Sequence, residues 1–300
     1  MPDNRTTAHR SRKLRWWIED AAPVVGIPAA HAALALTRAR YRDAVRHERE
    51  IARRLSPDQT VRQGPFAGLR YVTDVAASPF LPKLAGTYEL EVADATEELI
   101  AMTPDVVVDL GSAEGYYAVG LARRLPGARV AAFDTRRSAR WLTAQMAAAN
   151  GVEVEVRGTA THSAIQELCA RADTPLVICD IDGAEDTMID PTQIPGLRRA
   201  ALLIETHDIY VAGVTDRLAD RLSSSHEIQR ISMRPRPPEL LPDLPVDDAI
   251  TAMDEHRPDQ LWLVARPRLA PASGRPHGSL CAGGWASRAI SSIGGLRSSV

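Results

Sequence analysis

The chain has 300 residues and a formal net charge of −2, with a sequence pI near 6.5. An apolar share of 45% and a charged share of 25% describe an ordinary globular protein, long enough to bury a sizeable core. Near-neutral charge gives no global electrostatic pull toward nucleic acid or anionic lipid. Three cysteines without paired spacing (Cys169, Cys179 and Cys281) argue against a disulfide framework or a structural zinc site, and for a reducing, cytoplasmic setting. The longest apolar stretch, 21–36, is broken by Pro23, Pro28 and His31 and is too short to span a bilayer.

In chain order, the first ten residues are polar and read as disordered. Residues 11–55 read as helical, with a break forced by Pro23, Gly26 and Pro28, and 38–55 reads as a charged, exposed helix. The Trp16–Trp17 pair beside Arg12, Lys13 and Arg15 reads as a packing anchor, with contact to a membrane surface as the alternative. Gly64, Pro65 and Gly68 within 61–72 predict a short hairpin. Apolar residues at helical spacing then predict a helix over 90–102, ended by Pro104.

Beyond this point strands and helices alternate. Apolar runs at 106–110, 129–133, 152–156, 176–179 and 201–204 predict five strands; 116–125, 138–150 and 163–172 predict helices between them. Strands that are apolar on both faces and separated by helices predict a parallel sheet covered on both sides. A helix over 215–223 and strands at 226–231 and 261–265 follow, the last two suited to an antiparallel edge, with a proline-rich insertion at 234–245 between them. The expected organisation is a helical extension (1–57), a hairpin and lead-in helix (58–103), an α/β Rossmann-like, doubly wound, mostly parallel domain with an antiparallel C-terminal edge (104–267), and a disordered Gly/Ser/Arg-rich tail (268–300).

The first strand runs into Asp109-Leu-Gly111-Ser112-Ala113-Glu114-Gly115-Tyr116, a turn that a doubly wound sheet places at its ligand-binding edge. Gly111 allows a sharp turn near a ligand, and Gly115 a close helix approach. Asp134 and Thr135 close the second strand, where an acidic residue can hold ribose hydroxyls. The dinucleotide pattern fails, because Ala113 and Tyr116 stand at its second and third glycine positions. A bulky Tyr116 disfavours a pyrophosphate there, whereas Asp109 suits the amino group of a methionine moiety. Both departures favour S-adenosylmethionine over NAD.

These residues resemble the first motif and following acidic residue of class I methyltransferases. Asp180-Ile-Asp182-Gly-Ala-Glu185, Glu205-Thr-His207-Asp208 and Gly86-Thr-Tyr88-Glu89 resemble segments of the FkbM-type family over roughly 86–267. Asp182 stands where that family often has Glu, and Ala113 where many relatives have Asn or Gly. The resemblance implies an O-methyltransferase acting on a hydroxyl of a sugar, polyketide or related small molecule, with Glu89 near the cofactor.

Asp180, Asp182, Glu205 and His207 fall at the ends of the fourth and fifth strands, facing the expected reaction centre. In one arrangement His207 is a general base beside Glu205, two residues away on the same face. In the other, Asp180 or Asp182 with Glu205 and His207 binds Mg²⁺ or Mn²⁺, ions that suit oxygen-rich sites. The Asp180–Gly183 run could also be only a strand end whose carboxylate caps the next helix. Tyr88 and Glu89 read as a core tyrosine and a surface carboxylate as readily as substrate-side residues, and His162 reads as a surface or loop histidine near the adenine side. A methyltransferase acting on nitrogen in protein or nucleic acid, and an inactive binding protein, remain as alternatives. The Asn/Asp-Pro-Pro-Tyr/Phe signature of many base N-methyltransferases is absent after the fourth strand, so no nucleic-acid partner is expected.

Overall fold

In the computed structural model the described residues are Asp43, 45–72, 80–255 and 257–268. The helices expected within 11–42, the Trp16–Trp17 pair, Cys281 and the tail beyond 268 lie outside them. All described residues fall in one compact unit that ends at Arg268.

The strands form where β-branched and aliphatic residues run without polar interruption. β1 (Val106–Leu110), β2 (Arg129–Phe133), β3 (Glu155–Arg157), β4 (Pro175–Cys179) and β5 (Ala201–Thr206) are mutually parallel. β7 (Leu261–Pro267) inserts antiparallel between β5 and β6 (His226–Ser232), giving the order β3-β2-β1-β4-β5-β7-β6. β1, β4 and β5 are buried along their whole length, as central strands covered on both faces must be. The fold is the expected Rossmann-like, doubly wound sheet with an antiparallel edge.

Two apolar layers cover the sheet. One contains Val107, Val119, Leu121, Met146 and Trp262; the other contains Val108, Ile165, Leu168, Ile204, Leu218 and Leu222. α4 (Tyr116–Arg124) and α5 (Arg137–Asn150) contribute to the first, and α6 (His162–Ala170) and α8 (Val214–Ser223) to the second. Ahead of the sheet come α1 over 45–55, α2 (Phe80–Ala85) and α3 (Ala93–Ala101). The short α7 (Glu185–Met188) follows β4.

Several local expectations change. The end of α1 is not simply a charged exposed helix, because Ile51, Ala52 and Leu55 lie on one stripe and enter the core. The hairpin is reduced to one bridge, Thr60 to Arg70, around a loop turned by Gly64 and Gly68. The helix expected over 90–102 is preceded by a separate 3-10 turn, Leu90–Val92, since Glu89 takes a left-handed conformation (φ 50°). β3 begins at Glu155 rather than 152: Gly151 caps α5, and the Val152 amide returns to the Ala147 carbonyl before the chain reaches the sheet. The segment after β6 is more than a proline-rich loop, for it holds a 3-10 turn, Pro238–Leu240, and a helix, α9 (Val246–Ala252), that buries Ala249 and Ala252. Among the described residues no helix is long and apolar enough to cross a membrane.

Candidate active site

The turn after β1 is shaped by close approach of neighbouring strands. Gly111 has φ +87°, and a Cβ there would lie 1.7 Å from the Asp180 carbonyl, so no side chain fits without moving β4. The Gly111 and Ser112 amides bind the Phe133 carbonyl at 2.9 and 3.0 Å, tying the turn to β2. Ala113 adopts φ 47°, a conformation that costs any residue with a Cβ. It is held there by the Asp134 carboxylate, which accepts the Ala113 amide at 3.0 Å, and by Thr143, whose hydroxyl donates to the Ala113 carbonyl. Asp134 also accepts the Arg136 amide at 2.8 Å and the half-exposed Arg136 guanidinium. Glu114 is fully buried and accepts from Lys83 and Tyr71, and so pins the turn to the segment preceding the sheet.

Three buried oxygens around this turn have no hydrogen-bond partner among the described residues: Asp109 Oδ2, Ser112 Oγ and Glu89 Oε1. Burial raises the Asp109 carboxyl to about 7, with the charge of Asp180 adding to the effect. Burial likewise carries Glu89 to about 8, against the opposing pull of Arg257. Its other oxygen accepts the Tyr117 hydroxyl from the first turn of α4.

Strand register assembles the second half of the site. Cys179 pairs with Ile204, so the next residues, Asp180 and Glu205, emerge side by side, and their carboxyls share a hydrogen bond. Burial raises both, Glu205 strongly, and the charge of Asp180 adds to the rise at Glu205. His207 is 2% exposed; its Nδ1–H donates to Glu185 Oε1 at 2.8 Å. Its Nε2 faces Asp180 Oδ1 at 3.6 Å, Asp182 Oδ1 at 3.7 Å and Glu205 Oε2 at 3.8 Å. Burial alone would depress this imidazole, but the Glu185 hydrogen bond and the Asp180 charge outweigh it and raise its pKa. Glu185 also accepts the Gly183 amide at 2.9 Å, which stabilises the turn carrying Asp182 at φ 53°.

The segment between β6 and β7 closes one side with two arginines. Arg257 donates to Glu205, Glu255 and Glu91, while Arg236 donates to Glu91, Glu255 and the Thr87 carbonyl. The Glu255 carboxylate accepts the Glu89 amide at 2.8 Å, completing a buried network.

The fold thus brings together Asp180, Asp182, Glu205 and His207, and separately Asp109, Gly111, Ser112, Ala113, Gly115 and Asp134. Four of the expected residues take on a more definite character. Glu89 is 1% exposed, which excludes the surface-carboxylate reading, because the left-handed turn rotates it inward. Tyr116 packs edge-on against Phe66 and Tyr88 at centroid distances of 5.1 and 5.4 Å, so its ring belongs to an aromatic cluster. His162 binds Gln193 and the Thr187 carbonyl at the start of α6. Thr135 is exposed, and its carbonyl accepts from Arg140. Glu185, Arg257, Arg236, Glu91, Glu255 and Tyr117 were not anticipated as site residues. Only Glu185 had a sequence signal, its place in the run after β4.

A doubly wound sheet in this strand order, with a glycine-rich first turn and acids at the ends of β1, β2, β4 and β5, is the S-adenosylmethionine-dependent methyltransferase fold, and the chain is an enzyme of that class. More particularly, the sequence profile of the FtsJ-like methyltransferase family matches residues 86–209, fewer than half of the chain. No curated protein matches in sequence. Among solved structures, an O-methyltransferase from Bacillus cereus in complex with SAH is similar at 13% identity and TM-score 0.38, over 58% of this chain and 81% of that one. TomG, an O-methyltransferase of tomaymycin synthesis from Streptomyces achromogenes in complex with SAM, gives 15%, 0.39, 73% and 89% respectively. An rRNA methylase from Streptococcus thermophilus gives 17%, 0.39, 59% and 97%. Likeness at this level carries no argument about the acceptor.

Proposed function

We propose that the protein transfers a methyl group from S-adenosylmethionine to a hydroxyl of a small molecule such as a sugar or polyketide. The observation that carries this reading is His207, held through Nδ1 by Glu185, with Nε2 turned to the ends of β4 and β5 beside the cofactor turn. The resemblance of 180–185 and 205–208 to FkbM-type segments supports an oxygen acceptor.

The residues present fit the cofactor. The unpartnered Asp109 and Ser112 oxygens and the Gly111 cradle stand ready for its methionine end, and Asp134 for its ribose once Arg136 swings aside. When bound, S-adenosylmethionine supplies an electrophilic methyl group on a sulfonium. The protein's task is to align the acceptor oxygen and remove its proton. Neutral His207 accepts that proton at Nε2. The adjacent Asp180 carboxylate stabilises the imidazolium that results, and Glu185 keeps the ring in the productive tautomer. Asp182, on an exposed turn at the same edge, adds a hydrogen-bond acceptor for the incoming molecule.

A second arrangement uses the same groups. Asp180, Glu205 and His207 each offer a ligand atom, all within 4.8 Å of one another, and the oxygen-rich set suits Mg²⁺. Glu185 would then be the carboxylate that orients the metal-bound histidine.

Calorimetric titration with S-adenosylmethionine and with NAD tests the cofactor; binding of NAD alone would overturn the reading. Methylation assays on hydroxylated acceptors with and without a chelator separate the two modes of activation. Unchanged rates favour His207 as the base, and loss restored by Mg²⁺ favours the metal.

A further inference from the structure

β3 forms one end of the sheet, and among the described residues it pairs only with β2. The Arg157 carbonyl turns inward and accepts the Asp134 amide just beyond β2. Backbone groups alternate in direction along a strand, so those of Val154, Val156 and Gly158 turn to the open edge. The side chains divide by face. Val156 pairs in register with Ala132, and Val154 packs against the same apolar layer. Glu155 pairs with Ala131 on the other face, where the Arg157 guanidinium lies over the Phe133 ring. On the valine side, a groove of about 600 Å³ between α5 and the chain entering β3 is lined by Val130, Ala144, Ala147, Ala148, Val152 and Val154. The helix stripe of Ala144 and Ala148 carries Trp141 one turn earlier, 60% exposed. An open strand edge beside uncovered apolar surface is a template for association.

We infer that two copies of the chain join edge to edge through β3, antiparallel about a two-fold axis at Val156, to make one continuous sheet. This register bonds the outward backbone groups of Val156 to those of the partner's Val156, and Val154 to the partner's Gly158. Glu155 and the partner's Arg157 then face each other at the closely spaced, non-hydrogen-bonded positions, and symmetry repeats the pair. Moving the axis to Glu155 or to Arg157 sets like charges opposite each other, so the charge pattern selects the register. Trp141 lies in the first half of α5, whereas Ala144, Ala147 and Ala148 line the groove from its second half. The two-fold reverses one helix against its copy, which brings each Trp141 beside the groove of the other protomer and gives the indole an apolar seat.

The test is sedimentation velocity on the full chain, at concentrations up to about 0.1 mM. Expected is a concentration-dependent shift from 32.6 kDa to twice that mass. Glu155→Arg and Arg157→Glu each set two like-charged pairs across the axis and should weaken the dimer by about tenfold or more. The double variant Glu155→Arg/Arg157→Glu restores opposite charges and should recover most of the lost affinity; a loss that is not recovered overturns the register. Trp141→Glu should also weaken association, and an unchanged dimer there overturns the seat assigned to the indole. A wild type that stays monomeric throughout overturns the proposal, as does a dimer indifferent to both single reversals. Circular dichroism checks that each variant folds. Where a reversal unfolds the chain, Val156→Cys takes its place, with the wild type as control for the native cysteines. Mild oxidation should link this variant into a covalent dimer across the axis, and absence of the cross-link overturns the pairing.

Discussion

The Nδ1–H of His207 donates to Glu185 Oε1 at 2.8 Å, and both side chains are essentially excluded from solvent. A histidine so held has one free nitrogen, directed at the carboxyls of Asp180 and Glu205. Glu185 is therefore a positioning residue, acting through His207. Replacing His207 by Gln should lower kcat by about 10²–10⁴-fold, the usual contribution of a general base. Glu185→Gln removes a charge that raises the imidazole pKa, so the acid limb of the pH–rate profile should move to lower pH by about one unit. A limb that stays in place would separate it from His207.

Arg257 is the cation that three buried glutamates share. Arg257→Met should destabilise the protein by about 3 kcal/mol at neutral pH, because Glu205 loses its cation and Glu91 and Glu255 are left to share Arg236. Denaturant unfolding near pH 4 should show a smaller loss, since the acids can then take protons.

Glu89 and Asp109 carry folded-state pKa values above the ordinary carboxylate range, at about 8 and about 7. Between the unfolded value and those values the folded state binds more protons, so stability of the ligand-free protein falls as pH rises from about 4 to about 8. Glu89→Gln and Asp109→Asn should each relieve that penalty, on the order of a few kcal/mol at pH 8. Thermal unfolding across this range, without ligand, measures it. Variants that gain stability while losing donor affinity would mark the acids as a strained functional feature.

Ala113 holds a left-handed conformation beside Gly111. Ala113→Gly should raise stability by about 1 kcal/mol through relief of the Cβ clash, read as a higher midpoint in denaturant.

Tyr210 stacks on His207 with rings 5.6 Å apart and 17° between planes, yet is 63% exposed beside the exposed Ile209. Tyr210→Ala should leave stability within about 0.5 kcal/mol. If this ring contacts the acceptor, KM for the acceptor rises several-fold while S-adenosylmethionine affinity stays constant.

Much of the fold was legible because its causes are local. Apolar runs such as Val106–Leu110 can be satisfied only inside a two-sided sheet, and the Gly111 turn marks where the chain leaves it. Boundaries slipped where a cap or a left-handed residue intervened, at Gly151 before β3 and at Glu89 before α3. Helix α9 was missed because its short apolar set follows a run of prolines, and 234–245 looked like loop.

The sequence by itself determined the α/β architecture, the position of the cofactor turn and the set of acids and the histidine at the strand ends, since strand periodicity and glycine spacing are one-dimensional signals. Only the tertiary structure decided how those groups are charged and oriented. Asp180 meets Glu205 through the β4–β5 register, Glu185 folds back onto His207, and Arg257 reaches Glu205 from 52 residues away. Desolvation and Coulomb energy depend on burial and distance in three dimensions, and neither can be read from separation along a chain.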